Sequence, residues 1–465
     1  MSKSVEAKMK KNLKLNEFNL TPVSSYTTES IPPTVNSGGR LLYKIPRTNF
    51  LDGERARIVM TVVADTNDFW STNPSGVFAL FESATLLMGG TQIQTVPLRA
   101  SNYYKMKKTM GDLPSHPSKQ LYVYGMQNQF ADATPANTAF DLSYNQVVFE
   151  PETTVTWTTS ASSSYDVVVY LKDLFDFFES SEIPLYALDS DLYVDITLKD
   201  SSLFAQVAIQ DVSNNTLPTG YSISTAPLVC DFIRYPDAVM NAKREMPYVK
   251  HVTDVMATTK APESTGSTNV QMNLANKQLK RVNVAVPMAD EATGVDNSWL
   301  KRYTSADTKI NIRVNGQNYW NQDVNINTGM GGILYANSKD SYNGKFTCAP
   351  GTFIDQASPE VSGSVIKGDS SGMLLSTDED TPWGDSTYDA FGGANSYMSF
   401  NYQKDPAMGD HMANATRCEN KPIEFTMEHP TSISGDAVAM YAEVQKLVEI
   451  NPNGNVNILE GLPSV

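Results

Sequence analysis

The sequence predicts an all-β chain of two consecutive β-sandwiches with short helices and long surface loops. Residues 192–198 give the clearest sign. Leu192, Val194, Ile196 and Leu198 alternate with Tyr193, Asp195 and Thr197, and a period of two places successive side chains on opposite faces of a strand. Comparable runs recur on both sides of residues 236–247, punctuated by Gly-Gly and Asn-Gly turn signals. At 465 residues the chain exceeds one ordinary core, and two units of about 200–250 residues account for it.

The elements follow in order. Residues 1–38 read as a basic, then polar and Pro-containing arm, and ordered packing is expected to begin near Arg40. Ile58, Met60 and Val62 alternate with Val59, Thr61 and Val63, a two-sided apolar run that suits a central strand. Residues 84–96 read as a hairpin across Gly89-Gly90, because a two-residue primed turn needs positive φ. Tyr103, Met106 and Met110 mark a short helix, and strands are expected near 147–157 and 165–171. Leu171, Leu174, Phe175 and Phe178 fall at i, i+3, i+4 and i+7 and predict an amphipathic helix that ends at Ile183-Pro184. Residues 226–235 supply a late apolar strand, and 236–247 form a linker with a helical turn.

A second series follows. Val282, Val284 and Val286 alternate with Arg281, Asn283 and Ala285; Ile310, Ile312 and Val314 alternate with Asn311 and Arg313 ahead of Asn315-Gly316. Strands are expected at Tyr397–Tyr402, Ile423–Met427, Val438–Ala442 and Leu447–Ile450, with a last turn at Asn453-Gly454. Both halves thus share an early strand, a Gly hairpin, a long polar excursion and a late apolar strand. Eight or so short strands per half fit jelly rolls. The expected division is an arm over 1–38, a first jelly roll with linker over 39–247, a second over 248–451 with a long loop at 327–396, and a tail over 452–465.

Charge narrows the function. The formal net charge is −15, which argues against general nucleic-acid binding. The first 20 residues nevertheless hold five Lys against two Glu, and Lys3, Lys8, Lys10, Lys11 and Lys14 form a positive strip; an inward contact and a plain solvated tail are equally open. Residues 327–396 hold nine acids against three Lys and eleven of the 27 Gly, which suits an outward surface excursion. Three widely spaced cysteines, Cys230, Cys348 and Cys418, read as free thiols. No apolar h-region opens the sequence and no apolar run approaches 18 residues, so neither a secretory signal nor a transmembrane helix is expected.

Several segments resemble one family. They are Leu41-Leu-Tyr-Lys-Ile-Pro-Arg-Thr-Asn-Phe-Leu-Asp-Gly, Leu87-Met-Gly-Gly-Thr-Gln-Ile, the Glu182-Ile-Pro-Leu-Tyr-Ala-Leu corner, Phe232-Ile-Arg-Tyr-Pro-Asp with Pro247-Tyr-Val, and Gln278-Leu-Lys-Arg-Val-Asn-Val-Ala-Val-Pro. Together they resemble double jelly-roll major capsid proteins of icosahedral double-stranded DNA viruses, most closely those of polinton-like viruses and virophages. The resemblance covers residues 40–290; beyond that it rests on strand order. It implies a homotrimer forming a pseudo-hexagonal capsomer, neighbouring capsomers, penton and minor capsid proteins as partners, a virion location after assembly inside a host cell, and an N-terminal arm facing membrane or genome.

Catalytic and metal patterns are weak. Gly368-Asp-Ser-Ser-Gly372 has the look of a serine-protease nucleophile loop, yet none of the four histidines, His116, His251, His411 and His429, sits in a base motif. His411, Cys418 and His429 lack zinc spacing, and Asp378-Glu-Asp380 lacks the pattern of a calcium loop. Tyr103-Tyr-Lys-Met-Lys-Lys108 interleaves aromatics and bases as a nucleic-acid contact does, and as a half-buried helix does. The Asn19, Asn214 and Asn414 sequons read as chance matches. No cofactor or enzymatic activity is expected. The leading reading is a capsid subunit; a lectin-like or fibre-type surface protein is the alternative, and a paired-carboxylate glycosidase comes third.

Overall fold

The computed structural model describes residues 25–37, 39–64, 76–111, 164–180, 182–199, 221–261, 263, 266–285, 309–325, 341, 367–368, 374–375, 397–405, 412–429 and 437–461. The first half supplies β1 (Ser25–Ile31), β2 (Val35–Ser37), β3 (Arg40–Ile45), β4 (Phe50–Ala64), β5 (Phe81–Met88), β6 (Thr91–Val96), helix α1 (Ala100–Gly111), β7 (Ser164–Tyr170), α2 (Leu171–Leu174), β8 (Ile183–Pro184), β9 (Leu192–Leu198), β10 (Tyr221–Thr225) and β11 (Leu228–Arg234). Helix α3 (Asp237–Arg244) follows. The second half supplies β12 (Tyr248–Lys260), β13 (Gly266–Met272), β14 (Gln278–Ala285), β15 (Lys309–Val314), β16 (Gln317–Asn318), β17 (Val324–Asn325), β18 (Lys367–Gly368), β19 (Leu374–Leu375), β20 (Tyr397–Asn401), β21 (Thr416–Arg417), β22 (Ile423–His429), β23 (Val438–Ile450) and β24 (Val456–Leu459).

The pairings make two sandwiches with one strand order. In the first, one sheet runs β1-β11-β4-β7 and the other β3-β9-β5-β6, with β2, β8 and β10 as extensions. In the second, one sheet runs β12-β23-β14-β20 and the other β13-β22-β15-β16, extended by β17, β21 and β24. Taking eight principal strands in each half, both sandwiches read first-eighth-third-sixth against second-seventh-fourth-fifth. That is the jelly roll, two interlocked Greek keys that close one sheet over the other.

Each roll has its own core. The first is filled by inward residues of alternating strands, such as Ile58, Met60 and Val62 on β4 and Val194 and Ile196 on β9. The second gathers Val282, Val284, Ile310, Ile312, Phe400, Phe425 and Met440. Asn315 and Gly316 both take positive φ, 54° and 79°, as a primed hairpin turn requires. The first core also takes in Val252, Val255, Ala439, Tyr441, Val448 and Ile450 from the second roll. The two rolls are therefore packed together and not merely tethered.

Several expectations need correction. Residues 25–31 and 35–37, assigned to the arm, form β1 and β2. Strand β1 is polar and exposed apart from half-buried Ile31, so it carries no apolar alternation, and its seven-residue backbone ladder with β11 holds it. Residues 456–459, assigned to the tail, form β24 on β23. The helix over Leu171–Phe178 is broken: Phe175 is extended, at φ −136° and ψ 120°, between α2 and a 3-10 turn over Asp176–Phe178. Phe175, Phe177 and Phe178 are all buried; one helix face cannot hold three rings at i, i+2 and i+3, and the break can. The two strands expected at 438–442 and 447–450 are one 13-residue strand. The strand near 147–157 and most of the 327–396 excursion lie outside the described residues.

Gly53 fixes the corner on which the junction is built. Its N–H donates to the Ser180 carbonyl at 2.9 Å. A Cβ there would lie 2.6 Å from the Phe178 carbonyl oxygen and 2.8 Å from that of Ser180, so the main chain would have to move. Gly53→Ala is expected to cost about 1–3 kcal/mol, read as a lower midpoint in thermal unfolding.

Candidate functional site: the junction between the rolls

The surfaces between the rolls hold the two in register, and the junction is where three of the family-like segments meet. Phe50 opens β4, and its backbone pairs with Pro184 of the Glu-Ile-Pro-Leu-Tyr corner. The N–H of Tyr186 reaches the Asn49 carbonyl at 3.3 Å. Tyr235 follows β11 directly. Phe50 stands edge-on to Tyr186 at 4.8 Å and to Tyr235 at 5.4 Å between ring centroids. Together with Ile233 and Met240 the rings form a small core beneath α3.

Helix α3 starts at Pro236, whose carbonyl accepts from the N–H groups of Val239 and Met240. Met240 is buried in the small core, and Lys243, three residues on, shares its face. The Lys243 Nζ lies 5.1 Å from the Phe50 ring centroid and 4.6 Å from that of Tyr235. It also pairs with Glu182, which accepts a hydrogen bond from the Tyr235 hydroxyl as well. Burial works against the Glu182 charge, but bonds from Lys243 and Tyr235 hold its carboxyl below the usual range. Burial and the bond to Glu182 push the Tyr235 hydroxyl up.

Beyond this socket the rolls meet along a polar seam. The Gln94 side-chain amide on β6 donates to the Thr253 carbonyl on β12 at 2.7 Å, and its oxygen accepts from the Phe177 N–H at 2.8 Å. The Thr95 N–H donates to Asp254 Oδ1 at 2.7 Å. From α1, the Tyr103 hydroxyl donates to Glu443 Oε1 at 3.2 Å; in return the Tyr441 hydroxyl donates to the Arg99 carbonyl at 3.0 Å. Glu443 also accepts from Asn283 Nδ2 at 2.9 Å and pairs with Arg281 Nε at 2.9 Å. Lys446 bridges Asp254 at 2.5 Å and Glu460 at 2.9 Å, and Glu460 reaches Lys277 at 2.7 Å.

Burial here is severe. Asp254 is 1% exposed, Glu443 and Lys446 3%, Lys280 5% and Arg281 6%. These charges are tolerable only because they are paired and hydrogen-bonded. Sequence alternation assigned Arg281 and Asn283 to a polar face, and that face is the seam, so β14 is buried on both sides. In β23 the apolar pattern is broken by Glu443, which meets Tyr103 of the other roll, and by Gln445 and Lys446, which are buried against Thr253 and Asp254 of the neighbouring β12. Desolvation pushes the Asp254 carboxyl above the usual carboxylate range, partly offset by Lys446. Asp176 moves the opposite way: burial opposes its charge, but Lys107 and Lys280 depress it strongly. Glu460 is held at about 2, first by the bond from Lys277.

No protein-family profile and no curated protein matches the chain. Solved structures do. PBCV-1 VP54, as fitted into a reconstruction of the virophage Sputnik, aligns over 94% of this chain and 97% of its own with a TM-score of 0.54 and 13% identity. The Sputnik virophage structure aligns over 95% and 89% with a TM-score of 0.55 and 12% identity. The Faustovirus major capsid protein aligns over 95% and 91% with a TM-score of 0.53 and 10% identity. The chain has the double jelly-roll fold of viral major capsid proteins. The alignments span both rolls of the double jelly roll, well beyond residue 290 where the resemblance in sequence stops.

Sequence-predicted residues distribute unevenly over this double jelly roll. Lys3, Lys8, Lys10, Lys11 and Lys14 lie outside the described residues, as do His116, His411, Cys348, Asp369–Ser371 and Asp378–Asp380. His251 lies on β12 opposite Leu447, and His429 is buried against Thr268 at 3.0 Å. Cys418 is buried, and desolvation pushes its thiol up to about 11; Cys230 is pushed up to about 12. Among the described residues no three His, Cys, Asp or Glu side chains gather as a metal-ligand set. Tyr103, Tyr104 and Met106 of the aromatic-basic stretch point into the core, and Lys107 pairs with Asp176 at 3.2 Å. Its described side chains are therefore packing. The Asn414 side chain is buried and bonded to the Asp405 backbone, so this sequon is closed to modification in the fold.

Glu443→Ala is expected to destabilise by about 3–5 kcal/mol, because it removes the carboxylate that pairs with buried Arg281 and accepts from Tyr103 and Asn283. Replacing Glu443 and Arg281 together by Leu is expected to cost less; thermal unfolding of both variants checks this. Acid acts on the same region. Glu460 has an ordinary value of 4.5 and a folded one of about 2, so its contribution is full above about 4.5 and is lost as pH falls toward 2. Asp176 adds in the same sense, and Asp254, being raised, opposes. Near-UV circular dichroism across this window is expected to show loss of tertiary packing, with a shallower decline in Glu460→Gln.

Proposed function

We propose that the chain is the major structural subunit of an icosahedral viral shell, a homotrimer whose six rolls form a pseudo-hexagonal capsomer around a DNA genome. The observation that carries this reading is the repeated strand order of the two rolls, combined with their unequal edges. Strand β12 is the first strand of roll two and its edge is covered by β6 of roll one. Strand β1 is the first strand of roll one and an edge strand of its sheet; its Tyr26 is 49% accessible and lies across the sheet face, with the hydroxyl donating to Asp52 on β4. In a ring of three chains, the second roll of each neighbour covers β1 as roll one covers β12. The intrachain seam then serves as the template for the contact between subunits. Closed rings of this heterologous kind leave no unpaired surface, and an exposed Tyr is a frequent anchor in such contacts.

The role is structural and not catalytic, and the location is the virion after assembly in the host cell. Adjacent capsomers, penton proteins and minor capsid proteins are the partners. The basic arm carrying Lys3, Lys8, Lys10, Lys11 and Lys14 faces inward to membrane, genome or a minor protein, since the acidic body is repelled by both anionic surfaces. The acidic 327–396 segment forms much of the outward tower. The division into two rolls, the first taking in β1 and β2 and the second β24, belongs to this reading, with the boundary at the linker helix.

Light scattering of the purified chain is expected to give three times its 51.1 kDa mass. A stable monomer at micromolar concentration overturns the reading. Deleting residues 2–20 is expected to leave the trimer intact and to lower the yield of filled particles, scored by negative-stain microscopy. Normal yields would remove the role given to the arm.

A further inference from the structure

Lys243 occupies a site with more chemistry than a surface ion pair. Two aromatic faces at 5.1 and 4.6 Å and the Glu182 carboxylate converge on one Nζ. Tyr186 backs the Phe50 ring, and the Tyr235 hydroxyl ties its own ring to the same carboxylate. Negative ring faces and an anionic floor around a small cation are the elements of ammonium recognition. The Lys243 side chain is 29% exposed, so the site opens to solvent on one side.

The helix it seats needs such an anchor. Helix α3 has eight residues, too few to persist alone. Asp237, Ala238, Asn241 and Ala242 are exposed, Met240 is buried, and half-buried Val239 packs against the same small core. Lys243 adds the charged attachment on the face of Met240. Strand β12 begins four residues after α3, so the seating of the helix bears on the start of the second roll.

We propose that Phe50, Tyr235 and Glu182 form a recognition site for a primary alkylammonium, filled in cis by Lys243, and that occupancy by the cation holds α3 in place. The site does not depend on the shell reading, because the contacts lie within one chain.

Hydrogen exchange of the α3 amides in the full-length protein tests the proposal. Lys243→Ala is expected to exchange on the order of tenfold faster there, given the usual strength of a partly desolvated cation–aromatic contact. n-Propylammonium chloride replaces the lost Cγ, Cδ, Cε and Nζ, and it is expected to restore protection in Lys243→Ala where sodium chloride at equal ionic strength does not. Lys243→Met keeps an unbranched apolar stem one atom shorter, without the charge, and is expected to stay fast. Protection in Lys243→Met equal to the natural chain would overturn the proposal, since the stem alone would suffice. So would equal effects of the two salts on Lys243→Ala, or unchanged exchange in that variant. Tyr235→Phe keeps the ring and loses the bond to Glu182, and is expected to fall between the natural chain and Lys243→Ala.

Discussion

The edge strand of a sheet leaves a row of peptide groups without partners, and any two-sandwich chain has to dispose of several such edges. Here the second roll's edge, β12, is laid against the first roll. Gln94 caps a backbone carbonyl of that strand, Asp254 on the strand takes a backbone N–H from β6, and apolar residues of β12 and β23 complete the first roll's core. The remainder of the junction follows from this contact. A sheet with one face in its own roll and the other against a second roll has to be buried through and through, which is why β14 and β23 carry paired charges where an isolated sandwich would show water.

Buried ion pairs are poor sources of net stability, because desolvation offsets most of their attraction. Their geometric demands are strict, however. Glu443 has to meet Tyr103, Asn283 and Arg281 at once, and a shift of one residue in the packing of β23 against α1 would strand all of them. The apolar part of the seam supplies attraction and the polar part selects one arrangement. The aromatic socket under α3 does the same at the other end of the interface, where the chain crosses from one roll to the next.

Much of the fold was legible from alternation and turns. The strands around Val194, Ile312 and Phe425 stand in the sequence because each alternates between a wet and a dry face, and the Gly89-Gly90 and Asn315-Gly316 hairpins because their turns need positive φ. Legibility failed where that condition failed. Strand β1 has no dry face, so it read as arm. Strands β14 and β23 have no wet face, so their charges read as surface or as a break. The Phe175–Phe178 cluster read as helix because its spacing satisfies one, although burying three rings required another path. The junction itself was visible only as stretches resembling a family. Their physical content, a socket assembled from Phe50, Glu182 and Tyr235, depends on pairings between segments 53 or more residues apart, and no local pattern encodes those.

Strand β23 pairs with β12 along its whole length, through thirteen consecutive partners from Val438 to Ile450, and on its other side with β14 and then β24. A pull along the strand axis loads that entire ladder in parallel, whereas a pull on β24 from the chain's end opens its four pairs one after another. The molecule is thus stiff to shear across the second roll and soft to peeling at its C-terminal end.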